Sequence, residues 1–163
     1  MPLKTAYIAL GSNLGDRIGH LRAALDLLEA AGVHIDAVSP VYQNPAVGLG
    51  QAPDFLNAAA RVRTSLSPEE LLQRCLDIET RLGRVRSGQP ASRSIDLDLL
   101  LYGNAQRNTP HLQLPHPRIS QRDFVARPLV DLDPGLTVSG KPIQEILDAI
   151  PPGQLTPWPG PIR

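Results

Sequence analysis

The chain has 163 residues, enough for one domain with a hydrophobic core, and its sixteen Lys and Arg balance sixteen Asp and Glu. A formal charge of zero argues against a dedicated nucleic-acid binder or a membrane-surface protein, so any anion site must be local. One cysteine, Cys75, excludes an internal disulfide framework, and the opening MPLKTAYIALGSN is too short an apolar run for a signal peptide or spanning helix; a cytoplasmic protein is expected.

The run TAYIALG is β-rich, apolar and closed by glycine, which predicts a first strand at about residues 4–10, with GSNLGD as a turn. From Asp16, a capping residue, Ile18, Leu21, Leu25 and Leu28 recur at helical spacing until Gly32. VHIDAVSPVYQ alternates apolar and polar residues, and Pro40 places that strand near an edge. NPAVGLGQAPD holds too much glycine and proline for regular structure and reads as a long loop, of the kind that in compact domains is functional or disordered. FLNAAARVRTSL returns to a strand. In SPEELLQRCLDIETRLGR, Ser67 is the N-cap, Pro68 the first helical residue, Glu70 the capping-box partner and Gly83 the stop. After a second loop, VRSGQPASR, comes the strand IDLDLLLY. The order β-α-β-β-α-β predicts an α+β fold, a ferredoxin-like sandwich, with a C-terminal extension holding two short helices near 120–130 and 142–149. Residues 1–163 are expected to form a single domain, whose Pro-rich tail, 151–163, packs as extended chain or frays.

Asp96 and Asp98 interrupt an otherwise buried run, and positions two apart on a strand share a face. Such a pair persists only where water, a basic partner or a metal compensates it. Taken alone, it is as readily two acids on the wet face of a sheet. Arg81, Arg84, Arg86 and Arg93 lie just upstream, and carboxylates that bind Mg²⁺ beside arginines that bind phosphate are what an ATP site needs. Arginines at a helix end can equally serve the helix dipole. Gly11, Ser12 and Asn13 read as a strand-to-helix turn, since the spacing and Lys of a phosphate loop are missing. Asn57 enters an apolar strand and needs partners, from backbone or ligand. His116 is a core imidazole or a phosphate contact; Phe55 and Phe124 are core residues by default; Glu79 pairs with an arginine; Cys75 and Trp158 pack.

Six blocks in order, YIALGSNLGDR, PDFLNAAARV, IETRLGRVR, SRSIDLDLLLYGN, LPHPRISQRDFVARPL and the long loop between them, make the chain similar to the 6-hydroxymethyl-7,8-dihydropterin pyrophosphokinases of folate biosynthesis over about residues 5–150. The resemblance implies transfer of diphosphate from MgATP to the pterin hydroxymethyl group, with ATP as co-substrate and two magnesium ions held by Asp96 and Asp98. Arg84 and Arg93 match catalytic or phosphate-contacting arginines, and Arg86, His116 and Arg122 match nucleotide contacts. Asn57 matches the amide that reads the pterin ring. Phe55 and Phe124 match the aromatic pair that sandwiches it, although many members carry Tyr where this chain has Phe55. Asn44, Pro45 and Val47 match loop residues whose backbone contacts the pterin edge, and Glu79 matches an acid of the family pattern to which the resemblance attaches no role. The implied partners are small molecules, with neither nucleic acid nor membrane, and a monomer is expected.

The loop before the aspartate strand departs from the pattern: the basic residue and Trp usual there are absent from Gln89, Pro90, Ala91, Ser92, Arg93. A loop with fewer closed-state contacts is expected to be mobile without ligands, drawn inward by Arg86 and Arg93. No side chain stands out as general base. Two other classes fit a β-α-β-β-α-β chain. An RNA-recognition module needs aromatics on central strands and a basic sheet, which are missing here. A sensor domain would bind ligand at the aspartates without turnover.

Overall fold

The computed structural model describes residues 2–45, 53–84 and 94–163. The elements, in chain order, are β1 (Lys4–Ser12), α1 (Arg17–Ala30), β2 (His34–Val38), β3 (Tyr42–Asn44), β4 (Phe55–Thr64), α2 (Pro68–Arg81) and β5 (Asp96–Tyr102). Then follow β6 (Arg107–Asn108), β7 (Gln113–Leu114), a 3₁₀ turn (Pro117–Ser120), α3 (Asp123–Leu132), β8 (Thr137–Val138), β9 (Lys141–Pro142), α4 (Ile143–Asp148) and β10 (Thr156–Pro157).

Local chemistry starts the first two helices where the sequence predicts. The Asp16 carboxylate accepts from the Gly19 amide at 3.1 Å, and the Ser67–Glu70 capping box closes in both directions at 3.0 and 3.1 Å. Gly83, at φ +92°, adopts the left-handed conformation that ends α2 without the penalty a side chain would add.

The main sheet is antiparallel in the order β10-β3-β4-β1-β5, with β2 also paired to β4. On one face α1 and α2 bury Leu21, Leu25, Leu28, Leu71, Cys75 and Ile78 against Ile8, Leu10, Ala58, Ala60, Leu97 and Leu99. On the other, α3 and α4 bury Val125, Ala126, Leu129, Ile143 and Ile146 against Tyr7, Ala59, Leu100 and Leu101. The C-terminal helices are therefore a layer of the fold rather than an appendage.

Two expectations change. The single strand over VHIDAVSPVYQ is two strands, β2 and β3, separated at Ser39 and Pro40. Pro40 cannot donate a ladder bond, and Ser39 turns its hydroxyl onto the Ala59 amide at 2.8 Å instead. Gly11 and Ser12 belong to β1 and not to a turn, because β4 pairs with β1 as far as Ser12. Of the two outcomes expected for the tail, packing as extended chain or fraying, the structure shows the first: β10 pairs with β3, the Trp158 amide donates to the Val41 carbonyl at 2.9 Å, and Ile162 is 1% exposed under α1. Arg22 reaches the Ile162 carbonyl, and Arg163 bonds Asp26 and Glu29 of α1. Trp158 packs against this core with the Arg17 guanidinium 5.3 Å from its ring centroid.

Candidate active site

Paired residues of an antiparallel sheet point to the same face, so the register across β4, β1 and β5 draws a map of the α3 side. Gly11 pairs with Asn57 on one flank and with Asp96 on the other; one step along, Ala9 pairs with Ala59 and Asp98. Strands lie about 4.8 Å apart, so the Asn57 and Asp96 backbones are roughly 10 Å apart, across a floor of Gly11, Ala9 and Ala59. Any larger residue there must push the Asn57 amide aside. A Cβ at this position would lie 2.8 Å from Asn57 Oδ1.

At the β5 flank, Arg84 Nη1 donates to Asp96 Oδ1 at 2.6 Å and to Glu79 Oε2 at 2.9 Å. The same Glu79 oxygen accepts from the Leu97 amide, between the two aspartates, at 2.7 Å. Glu79, 1% exposed, thus ties the end of α2 to the start of β5 and orients Arg84. The resemblance left this acid without a role. Asp98 is pushed up to about 7, first by burial and then by the neighbouring Asp96 charge, with Arg118 opposing. His116 is lowered, by burial and then by Arg118. Its Nδ1 accepts from the Arg118 amide at 3.1 Å, which assigns the proton of the neutral ring to Nε2.

A cleft of about 460 Å³ opens beside these groups. Arg84, Asp96, Asp98, His116 and Arg118 are part of its lining, with Leu72, Leu76, Leu99 and Leu112 among the apolar residues beside them. Arg118 escaped the sequence reading although it sits two residues after His116; the only available signal was a basic residue beside a candidate imidazole.

Asn44, Phe55 and Asn57, which the resemblance matches to pterin contacts, lie on the other flank. Asn57 Nδ2 donates to Asn44 Oδ1, and Asn44 Nδ2 to the Pro45 carbonyl at 3.1 Å. Phe55 lies opposite Asn44 in the β3–β4 register, and its ring edge is 3.8 Å from where a Gly11 Cβ would stand. Arg122 precedes α3, its guanidinium 5.5 Å from the Phe124 ring centroid. Val47, Arg86 and Arg93 lie outside the described residues, as does the loop 85–92 with its expected closure.

The family model for 7,8-dihydro-6-hydroxymethylpterin-pyrophosphokinase (HPPK) matches residues 7–134. The chain belongs to the HPPK family. Among curated relatives, the 2-amino-4-hydroxy-6-hydroxymethyldihydropteridine pyrophosphokinase of Methylorubrum extorquens is 40% identical over 90% of this chain and 94% of its own length. The Bacillus subtilis protein of the same name is 44% identical over 78% of this chain and 77% of its own. The folic acid synthesis protein fol1 of Schizosaccharomyces pombe is 36% identical over 91% of this chain, which spans only 21% of that longer protein. Among solved structures, wild-type Plasmodium falciparum HPPK-DHPS shares the fold at a TM-score of 0.74 and 14% identity, over 90% of this chain and 42% of that one. Among the described residues, no helix is long and apolar enough to cross a membrane.

Within this HPPK chain, Glu79→Ala removes the acceptor of the Leu97 amide and one partner of Arg84 from a buried place. A loss of about 1–3 kcal/mol of stability is expected, read by denaturant unfolding at pH 7. An unchanged midpoint would show that the Glu79 bonds do not hold β5 in register.

Proposed function

We propose that this HPPK-family chain transfers the terminal diphosphate of ATP to the hydroxymethyl oxygen of 6-hydroxymethyl-7,8-dihydropterin, giving AMP and the pterin diphosphate, a step of folate biosynthesis. The observation that carries the reading is the row Asn57, Gly11, Asp96: an amide suited to a heterocycle edge and a carboxylate pair suited to a phosphate-bound metal, on one face, roughly 10 Å apart across a floor without bulky side chains. The order β5-β1-β4, with β2 and β3 beyond β4, supports a ferredoxin-like layout for the β-α-β-β-α-β core, with residues 1–163 as one domain.

Asp96 and Asp98 supply hard oxygen donors, and among the described residues no third carboxylate, imidazole or thiol joins them in a cluster that could hold a metal. That donor set suits Mg²⁺, which takes one or two carboxylates and completes its shell with substrate phosphates and water. Bound there, magnesium would neutralise charge on the triphosphate during the displacement. The remaining work falls to the chain. Arg84, oriented by Glu79, and Arg93 clamp phosphate oxygens; Arg86, Arg122, Arg118 and His116, through its Nε2–H, hold the triphosphate; the leucines of the cleft shelter the base. Asn57 reads the pterin edge, Phe55 and Phe124 stack on the ring, and the backbone of Asn44, Pro45 and Val47 lines it. The hydroxymethyl oxygen then attacks the β-phosphorus and AMP leaves. Positioning and electrostatics supply the rate, with no side chain assigned as base.

Incubation with MgATP and 6-hydroxymethyl-7,8-dihydropterin is expected to yield AMP and the pterin diphosphate in equal amounts. ADP as product would contradict diphosphoryl transfer, and binding of both compounds without AMP would favour a sensor.

A further inference from the structure

We infer that Asn44, through its side chain, is a positioning residue that sets which way the Asn57 amide faces, and hence the direction in which the heterocycle edge docks. This rests on the reading of Asn57 as the pterin-binding amide, and adds to it a side-chain function at a position for which only a backbone contact was expected.

A primary amide has an acceptor end and a donor end of almost the same shape, so a lone Asn can present either to a ligand. Here the choice is made by a chain of bonds that starts at an atom with no such freedom. The Pro45 carbonyl can only accept, and it takes the Asn44 Nδ2 proton at 3.1 Å. That turns Asn44 Oδ1 toward Asn57, whose Nδ2 donates to it. Asn57 Oδ1 is thereby sent to the opposite side, over Gly11, where a Cβ would come within 2.8 Å of it. Asn44 and Asn57 are only 6% and 8% exposed, so water has little access to satisfy the reversed orientation.

The fixed amide offers an acceptor on the Gly11 side and its second N–H on the side away from it. A ligand edge with an adjacent donor and acceptor, such as a cyclic amide or an aminopyrimidine, satisfies both only when its donor lies over Gly11. A single orientation of the ring follows, and with it a single direction for a substituent on the ring. Since Asp96 lies beyond Gly11 in the same row, the amide orientation aligns the bound ring with the carboxylate flank.

The test is a double-mutant cycle read by calorimetry with 6-hydroxymethyl-7,8-dihydropterin on the protein saturated with a nonhydrolysable ATP analogue and Mg²⁺. Asn44→Leu, which keeps the bulk and loses the bonds, is expected to weaken pterin binding about tenfold, with the affinity for the ATP analogue unchanged. Asn44→Asp keeps an acceptor toward Asn57 and is expected to stay closer to wild type. Gly11→Ala, which acts on Asn57 from the other side, is expected to weaken pterin alone. In an Asn57→Ala background, Asn44→Leu should cost nothing more. Additive losses, Asn44→Asp as weak as Asn44→Leu, or an Asn44→Leu variant that binds pterin normally would each overturn the inference while leaving Asn57 as a pterin contact. Normal pterin binding by Asn57→Ala alone would instead overturn the reading on which it rests. Parallel loss of ATP-analogue binding would mark Asn44 as scaffold.

Discussion

Asp98→Asn is expected to reduce turnover by roughly 10³-fold and, in the absence of Mg²⁺, to make the folded protein more stable at pH 8. The catalytic loss follows from the proposed metal role, since charge stabilisation worth several kcal/mol disappears with the carboxylate and each 1.4 kcal/mol is a factor of ten. The stability gain follows from the apo structure. Burial and the Asp96 charge push the Asp98 carboxyl up to about 7, from an ordinary value of 3.8. Between these values the unfolded chain has released the proton and the folded chain keeps it. The folded state therefore binds more protons, and this group's contribution to stability declines as pH rises from about 4 to about 7. Above that range the folded protein holds a buried, repelled carboxylate, a cost that asparagine removes. Thermal unfolding of both proteins at pH 5 and pH 8 checks the sign: the difference in favour of the variant should be larger at pH 8 than at pH 5. Added Mg²⁺ with the ATP analogue should stabilise the wild type more than the variant, because a ligand stabilises the state that binds it. Equal stability at pH 8 would contradict the repelled pair, and wild-type activity in the variant would contradict the metal role.

Ile162→Ala is expected to destabilise the protein by about 2–5 kcal/mol, an unusual effect for a residue next to the end of the chain. Its side chain is 1% exposed in the core beneath α1, and its carbonyl accepts from Arg22. Terminal residues generally contribute little unless they are tied down. This one is tied by β10 on β3, by Arg22 and by Arg163 on Asp26 and Glu29. At about 2–4 °C per kcal/mol for a chain of this size, the melting temperature should fall by roughly 4–20 °C. A fall under a degree would return the tail to a frayed end. Because β10 lies on β3, which carries Asn44, loss of the tail is also expected to loosen pterin binding ahead of ATP binding.

Much of the fold was legible because it is encoded locally. Asp16 and Ser67 with Glu70 mark helix starts through bonds that span three residues, and Gly83 marks a stop by its own backbone freedom. Alternation placed Asp96 and Asp98 on one face for the same reason, since strand period is a property of the chain alone. The motif blocks carried the family, and with it residues as distant in sequence as Asn57 and His116.

Long-range register lay beyond sequence reading. Nothing in YIALGSN shows that Gly11 will stand between Asn57 and Asp96, because that depends on β1 pairing with residues that come 46 and 85 positions later. Gly11 therefore read as a turn, the commonest local use of glycine, whereas the tertiary structure uses its missing side chain to clear a floor. The same holds for Glu79, whose partners Arg84 and the Leu97 amide are set by how α2 meets β5, and for Arg118, which matters only because its turn is laid against the aspartates. Nothing local in the proline-rich tail chooses between packing and fraying. Alone it lacks the apolar residues to offset its own entropy, but the assembled α1 and β3 offer Ile162 a buried place and β10 a strand to pair with. Composition and periodicity determined which segments become helix or strand; only the packed sheet decided which of them share a face, and so which side chains can act together.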